Sequence, residues 1–316
     1  MVKKTEPKGS APPSEMFAGN GVRVLQGYEK ALKNQVAKWA TRFLVHQTNQ
    51  WLKQYGKTGK IPKIPVAKEV KMVGTMVELE RLLFKWAKRT YQESFKRETG
   101  ALAVGPEYEK EIESMIYFAG KHAEQTYTDL QATLYNDIRE FMGKLERHNK
   151  KHKVPTSVAY VARQLRGLPG PSPYQRQGLP EPASYRFQGK KLRTFGSSGI
   201  NGSRDPFQVA ARANMIARTE ITQARNNAQL EGFKATGRKF VKWVSFNDNR
   251  TRDRHKMLNG KVVRTGEHFE WTAENGKKVK ALAPGDESLP PGERINCRCV
   301  LVAATERQYN RQRKGK

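Results

Sequence analysis

Apolar residues recur at intervals of three and four through the first half of the chain, in three separate runs. Leu25, Tyr28, Leu32, Val36, Trp39 and Phe43 fall on one helical face, which predicts an amphipathic helix. Residues 56–65 break the pattern with Gly59, Pro62 and Pro65, and a second run follows in Met72, Met76, Leu79, Leu83 and Trp86. A third, longer run begins after Gly105 and Pro106, carrying Ile112, Met115 and Ala119 and then Leu130, Leu134, Ile138, Phe141 and Leu145. Three such helices bury their apolar stripes by closing a bundle.

The periodicity then lapses. After a short helical candidate at residues 157–165, the stretch 168–206 collects proline, glycine and serine, the composition of a linker or an arm that orders on docking. It resumes in a helix through Ala213, Ile216, Ala217, Ile221, Ala224, Ala228 and Phe233, ending near Gly237. Residues 239–246 alternate as a strand does, and short strands are expected at Val262-Val263, His268-Phe269, Val279 and Val300 to Val302. The predicted fold class is α+β, a helical bundle at residues 21–155 followed by a small α+β module at residues 207–305, joined by a Pro/Gly-rich linker at residues 156–206. Residues 1–20 read as a disordered basic arm and residues 306–316 as a basic tail.

Charge narrows the function. The 316 residues hold 59 Lys and Arg against 30 Asp and Glu, a formal charge of +29, which calls for a polyanionic partner. No apolar run approaches the roughly 18 residues of a spanning helix, so membrane insertion is not expected. The first residues, with Lys3, Lys4, Pro7 and the Pro12-Pro13 pair, lack the apolar core of a signal peptide, and an intracellular site is expected. Cys297 and Cys299 are the only cysteines. One intervening residue would strain a disulfide between them, which rules out a disulfide framework and fits a reducing compartment.

Three segments in the last third form an ordered set. They are the run Ile216 to Glu220, IARTE, followed by Ala224 and Asn227; the stretch KWVSFNDNRTRDRHKMLNGKVV, which contains Asp248, Arg250, Arg252, Asp253 and His255; and the closing PPGERINCRCVL with Cys297 and Cys299. This order resembles the Mu F-like phage head morphogenesis family, over about residues 207–303. The resemblance implies a minor capsid protein of a tailed bacteriophage. Such a protein would be present in few copies near the portal, would act structurally in head assembly, and would accompany the DNA at its delivery. The partners then expected are portal protein, major capsid or scaffolding protein, and double-stranded DNA bound without sequence preference. The expected place is the head interior, with the host cytoplasm during assembly, and no enzymatic activity is expected.

Read from the residues themselves, the polar cluster allows several kinds of chemistry. The preferred reading is structural: Arg218, Glu220, Asp248, Arg252, Asp253 and His255 form a polar network in which arginine bridges carboxylates and ties loop to helix. A second reading joins His255 to Cys297 and Cys299, with Asp248 or Asp253 as fourth ligand, in a structural zinc site, although Cys-x-Cys is a less usual ligand pair than Cys-x-x-Cys. A third leaves both cysteines as small core residues. The rival functions are a metal-dependent nuclease built on Asp248, Asp253 and Glu220, a cysteine hydrolase pairing Cys297 with His255 that leaves Cys299 idle, and a free nucleic-acid-binding regulator. Candidate phosphate contacts are Lys150, Lys151 and Lys153 after the third helical run and Arg311, Arg313, Lys314 and Lys316 in the tail.

Overall fold

The computed structural model describes residues 20–58, 73–152, 209–273 and 276–314. Four long helices come first: α1 (Asn20–Thr58), α2 (Val73–Thr99), α3 (Pro106–His152) and α4 (Val209–Ala235). They are followed by β1 (Phe240–Val244), the short α5 (Asp253–Met257), β2 (Val262–Arg264), β3 (Phe269–Thr272), β4 (Lys278–Ala281), the single turn α6 (Pro291–Arg294), β5 (Val300–Ala304) and α7 (Glu306–Lys314). The architecture is α+β, helical in its N-terminal region and mixed in its C-terminal module. Residues 1–19 of the arm expected at 1–20, the helical candidate at 157–165, the linker at 156–206, Lys153 and Lys316 lie outside the described residues, and Asn20 opens α1.

The chain divides into two compact units. One takes its described residues from 34–58, 73–82, 117–152 and 209–213. Its core is aromatic: Trp39 stacks on Phe43 at 5.5 Å between ring centres, and Phe43 meets the edge of Tyr127 at 4.9 Å, joining α1 to α3. Helix α1 does not stop at Gly56. Trp51, Leu52 and Tyr55 continue the buried stripe to Thr58, with Trp51 and Tyr55 stacked at 5.2 Å. Burying these three rings and chains outweighs the roughly 1 kcal/mol that a glycine costs inside a helix.

The other unit gathers described residues 20–33, 83–116 and 214–314, less 274 and 275. Its centre is α4. Ala228 packs under Tyr91 and Ala103, with Phe95, Tyr108 and Met115 around them. Gly232 is required by this crossing, because a Cβ there would lie 2.8 Å from the Cβ of Glu98. Elsewhere on α4, Leu230 and Phe233 enter the core of the module with Val241, Trp243, Leu258, Phe269 and Leu301. The helix ends in a left-handed turn at Gly237, φ 66°, closed by a bond from the Arg238 N–H to the Phe233 carbonyl at 2.8 Å.

The module carries an antiparallel sheet in the order β2-β1-β5, with Val241 opposite Val263 and Trp243 opposite Leu301. A separate two-stranded ribbon pairs Phe269 with Ala281. The basic stretch at the C-terminal end is helical through Lys314. Tyr309 of α7 stacks on Phe240 at 4.6 Å, which seats this helix on β1.

A candidate metal centre in the C-terminal module

His255 is carried by α5, and its ring is buried against two tryptophans of the module core. Trp243 meets it edge to face at 5.5 Å and Trp271 at 6.0 Å, while Phe269 and Trp243 pack at 5.4 Å. The two ring nitrogens face different chemistry. Nε2 lies 3.2 Å from Oε2 of Glu293, and Nδ1 lies 3.7 Å from Sγ of Cys297 and 3.6 Å from Sγ of Cys299. A carboxylate only accepts hydrogen bonds, so Nε2 carries a proton and, in the neutral ring, Nδ1 presents its lone pair to both sulfurs.

Both sulfurs reach one nitrogen from the segment that leads directly into β5, where a spacing of two residues is the one that puts side chains on a common face of a strand. The spacing that is unusual in a turn is therefore the right one at the mouth of a strand. Asn296 begins the approach in a left-handed conformation, φ 60°, which asparagine tolerates better than most residues. Three contacts hold that corner: the Asn296 N–H donates to Thr219 Oγ1 at 2.9 Å, Arg218 donates to Asn296 Oδ1 at 2.9 Å, and Arg252 donates to the Ile295 carbonyl at 2.7 Å. Behind it, the buried Asn226 of α4 donates to the carbonyls of Pro284 and Cys299 at 2.8 and 3.1 Å, and accepts from the Leu301 N–H at 3.0 Å.

Glu293, in the single turn α6, is almost fully buried and receives three donors. These are Arg254 Nε at 2.7 Å, His255 Nε2, and Trp271 Nε1 at 3.3 Å. The Arg254 ion pair balances the charge that burial would otherwise make costly. The cysteines are coupled to each other. A hydrogen bond from Cys299, and after it His255, holds the Cys297 thiol well below its usual range, against the opposing effect of burial. Cys297 and burial push Cys299 up. The indole of Trp243 makes no conventional hydrogen bond, yet its N–H favours the thiolate form of Cys299.

The six residues expected to form one network are Arg218, Glu220, Asp248, Arg252, Asp253 and His255. Most of them act on the segment between Glu293 and Cys299. Arg218 holds Asn296 and pairs with Glu29, Arg252 holds Ile295, and His255 faces the cysteines. Asp248 accepts from Arg298, Thr251 and the Arg250 N–H, and the Arg298 guanidinium first of all keeps its carboxyl well below the usual range. Asp253 stands in solvent beside Lys256. Glu220 is buried on α4, near enough to Glu287 to act with burial, the larger cause, in pushing the Glu287 carboxyl up to about 8. Neither aspartate is therefore a candidate fourth ligand. Among the described residues, the side chains that converge as a ligand set are His255, Cys297 and Cys299, all buried, with ligand atoms within 4.8 Å of one another.

Residues 190–302 match the family of phage Mu protein F like proteins. This stretch of the chain is a Mu F-like domain. The match takes in α4, β1 to β4 and the first three residues of β5, so His255, Cys297 and Cys299 lie wholly inside it. Comparisons with curated proteins and with solved structures give no match. Within the Mu F-like domain, the three motif segments meet in space. The ARTE segment reaches the NCRC segment through Arg218 and Thr219, and the DNRTRDRH segment reaches it through Asp248, Arg252 and His255. Glu293 and Asn226 had been given no part in the site. The first lies inside the quoted PPGER run and the second beside the quoted Asn227, and nothing in the local pattern marks either as buried. Of the candidate phosphate contacts, Lys150 and Lys151 are exposed at the end of α3, and Arg311, Arg313 and Lys314 are exposed on α7.

Proposed function

We propose that this chain is a minor head protein of a tailed phage, a component of head assembly that works by position and charge rather than by turnover. The observation that carries the reading is the Mu F-like domain at residues 190–302, whose three motif segments close around one buried centre. A formal charge of +29 supports double-stranded DNA as a neighbour, since packaged DNA is a concentrated polyanion that lysine and arginine neutralise without reading sequence. None of the described helices is long and apolar enough to cross a membrane. Portal protein, with major capsid or scaffolding protein, is the proteinaceous partner in this reading, and the head interior is its place after assembly in the host cytoplasm. The carboxylates of the rival nuclease reading are engaged apart from one another, Asp248 by Arg298 and Asp253 by Lys256.

Mass spectrometry of purified virions and of proheads tests the proposal. The chain is expected in both, at a copy number well below that of the major capsid protein. Its absence from both kinds of particle, in a lysate that contains it, would overturn the assignment.

A further inference from the structure

We infer that His255, Cys297 and Cys299 bind one zinc ion through Nδ1 and two sulfurs, with Glu293 as the carboxylate that orients the histidine. Zinc bonds of about 2.3 Å to sulfur and about 2.0–2.1 Å to nitrogen, at a tetrahedral angle, place sulfur and nitrogen about 3.6 Å apart. The two sulfur-to-Nδ1 distances are 3.7 and 3.6 Å. Both sulfurs thus stand at the distance from Nδ1 that ligands of one tetrahedral ion share, and the three atoms all lie within 4.8 Å of one another.

Three further features support the site. Glu293 takes the Nε2 proton and so commits Nδ1 to the ligand side, the relation of carboxylate, histidine and metal that fixes tautomer and ring orientation. Charge closes as well, because a divalent ion against two thiolates is neutral and Glu293 is already matched by Arg254. Trp243, Phe269 and Trp271 form an apolar wall in the core that holds both cysteines. Among the described residues no fourth His, Cys, Asp or Glu ligand atom joins this set, which leaves the fourth position open to water. A nucleophilic Cys297, His255 and Glu293 triad uses the same contacts. It leaves Cys299 idle, however, and it places the nucleophile where a substrate does not reach, since Cys297 is only 3% exposed.

The inference concerns these side chains alone and does not depend on the head-protein reading. The full chain, expressed with zinc in the medium and passed through a desalting column, is expected to hold about one equivalent of zinc by elemental analysis. Replacement by Co(II) is expected to give the near-ultraviolet charge-transfer band of cobalt-thiolate bonds. Cys297→Ser and Cys299→Ser should each lose both signals. Should these variants fail to fold, Glu293→Gln provides the test within a folded chain: metal retained, but bound about 10–100-fold more weakly in competition with a chromophoric chelator. Iodoacetamide separates zinc from the triad, since a chelator speeds the alkylation of metal-held thiols, whereas it leaves the alkylation rate of a metal-free triad thiol unchanged. Less than about a tenth of an equivalent of zinc with no cobalt band, or full metal retention in the double cysteine variant, would overturn the site.

Discussion

Asn226 shows how much a single amide decides in this module. It is fully buried on α4, and its one side chain satisfies three backbone groups that belong to other parts of the chain: the carbonyls of Pro284 and Cys299 and the N–H of Leu301. Truncating it leaves three buried polar groups without partners and a small void, and the unmade bonds dominate because each stranded group costs about 1–3 kcal/mol. Asn226→Ala is expected to lower unfolding stability by about 2–4 kcal/mol, read from the midpoint of a denaturant titration at unchanged slope. A loss below about 0.5 kcal/mol would mean that water replaces the amide and that the Cys299 strand is held by other means. The contrast with Asp253 is instructive. Both are polar residues next to quoted motif positions, yet Asp253 stands in solvent and pairs only with its helical neighbour Lys256, a contact worth little in water.

The long elements were legible because their residues carry a period that survives tertiary context. The stripe from Leu25 to Phe43 is buried at Leu25, Leu32, Val36, Trp39 and Phe43, and the alternation at 239–246 became β1. The short strands were legible too, at Val262-Val263, Phe269, Val279 and Val300 to Val302, but the short helices were not. Helices α5 and α6 are five and four residues long, too short to show a period, and they lie where charged residues and prolines suggest only loop. The partners of the candidate centre were obscure for a related reason. Glu293 is held by side chains from α5 and β3, so its burial is a property of the assembled module and not of its own neighbourhood.

At the open edge of the sheet, α7 supplies a device of the same kind. The Gln312 side chain accepts from the Val262 N–H at 2.7 Å and donates to the Val262 carbonyl at 3.2 Å, pairing with β2 as a further strand would. Unpaired strand edges template association between chains, and a single amide here covers one such pair of groups. Gln312→Ala is expected to leave the fold in place, to speed hydrogen exchange at the Val262 amide by about tenfold or more, and to raise the tendency to self-associate. Exchange at Val262 that is unchanged in the variant would show that the stack of Tyr309 on Phe240 shields this edge by itself.

Among the described residues, the positive charge is carried by several elements. Exposed lysines and arginines occur on α1, α2, α3 and α7, including Lys85, Lys88 and Lys96 on α2, Lys150 and Lys151 on α3, and Arg311, Arg313 and Lys314 on α7. On the proposal that duplex DNA is a partner, binding would release counterions, so affinity should fall linearly with salt on logarithmic axes, with a slope of about 0.9 per phosphate neutralised. Random and defined duplexes of equal length should bind alike, because none of these residues belongs to an element built to enter a groove and read bases. Replacing Arg311, Arg313 and Lys314 together by alanine is expected to reduce the slope by about 2–3 if all three contact phosphate, with no change in sequence preference. The same substitution leaves Tyr309 and Gln312 in place, so the loss is separable from undocking of α7 by exchange at Val262. A slope near zero in the unaltered protein, or affinity that depends strongly on sequence, would instead assign the charge to a protein partner or to a specific operator.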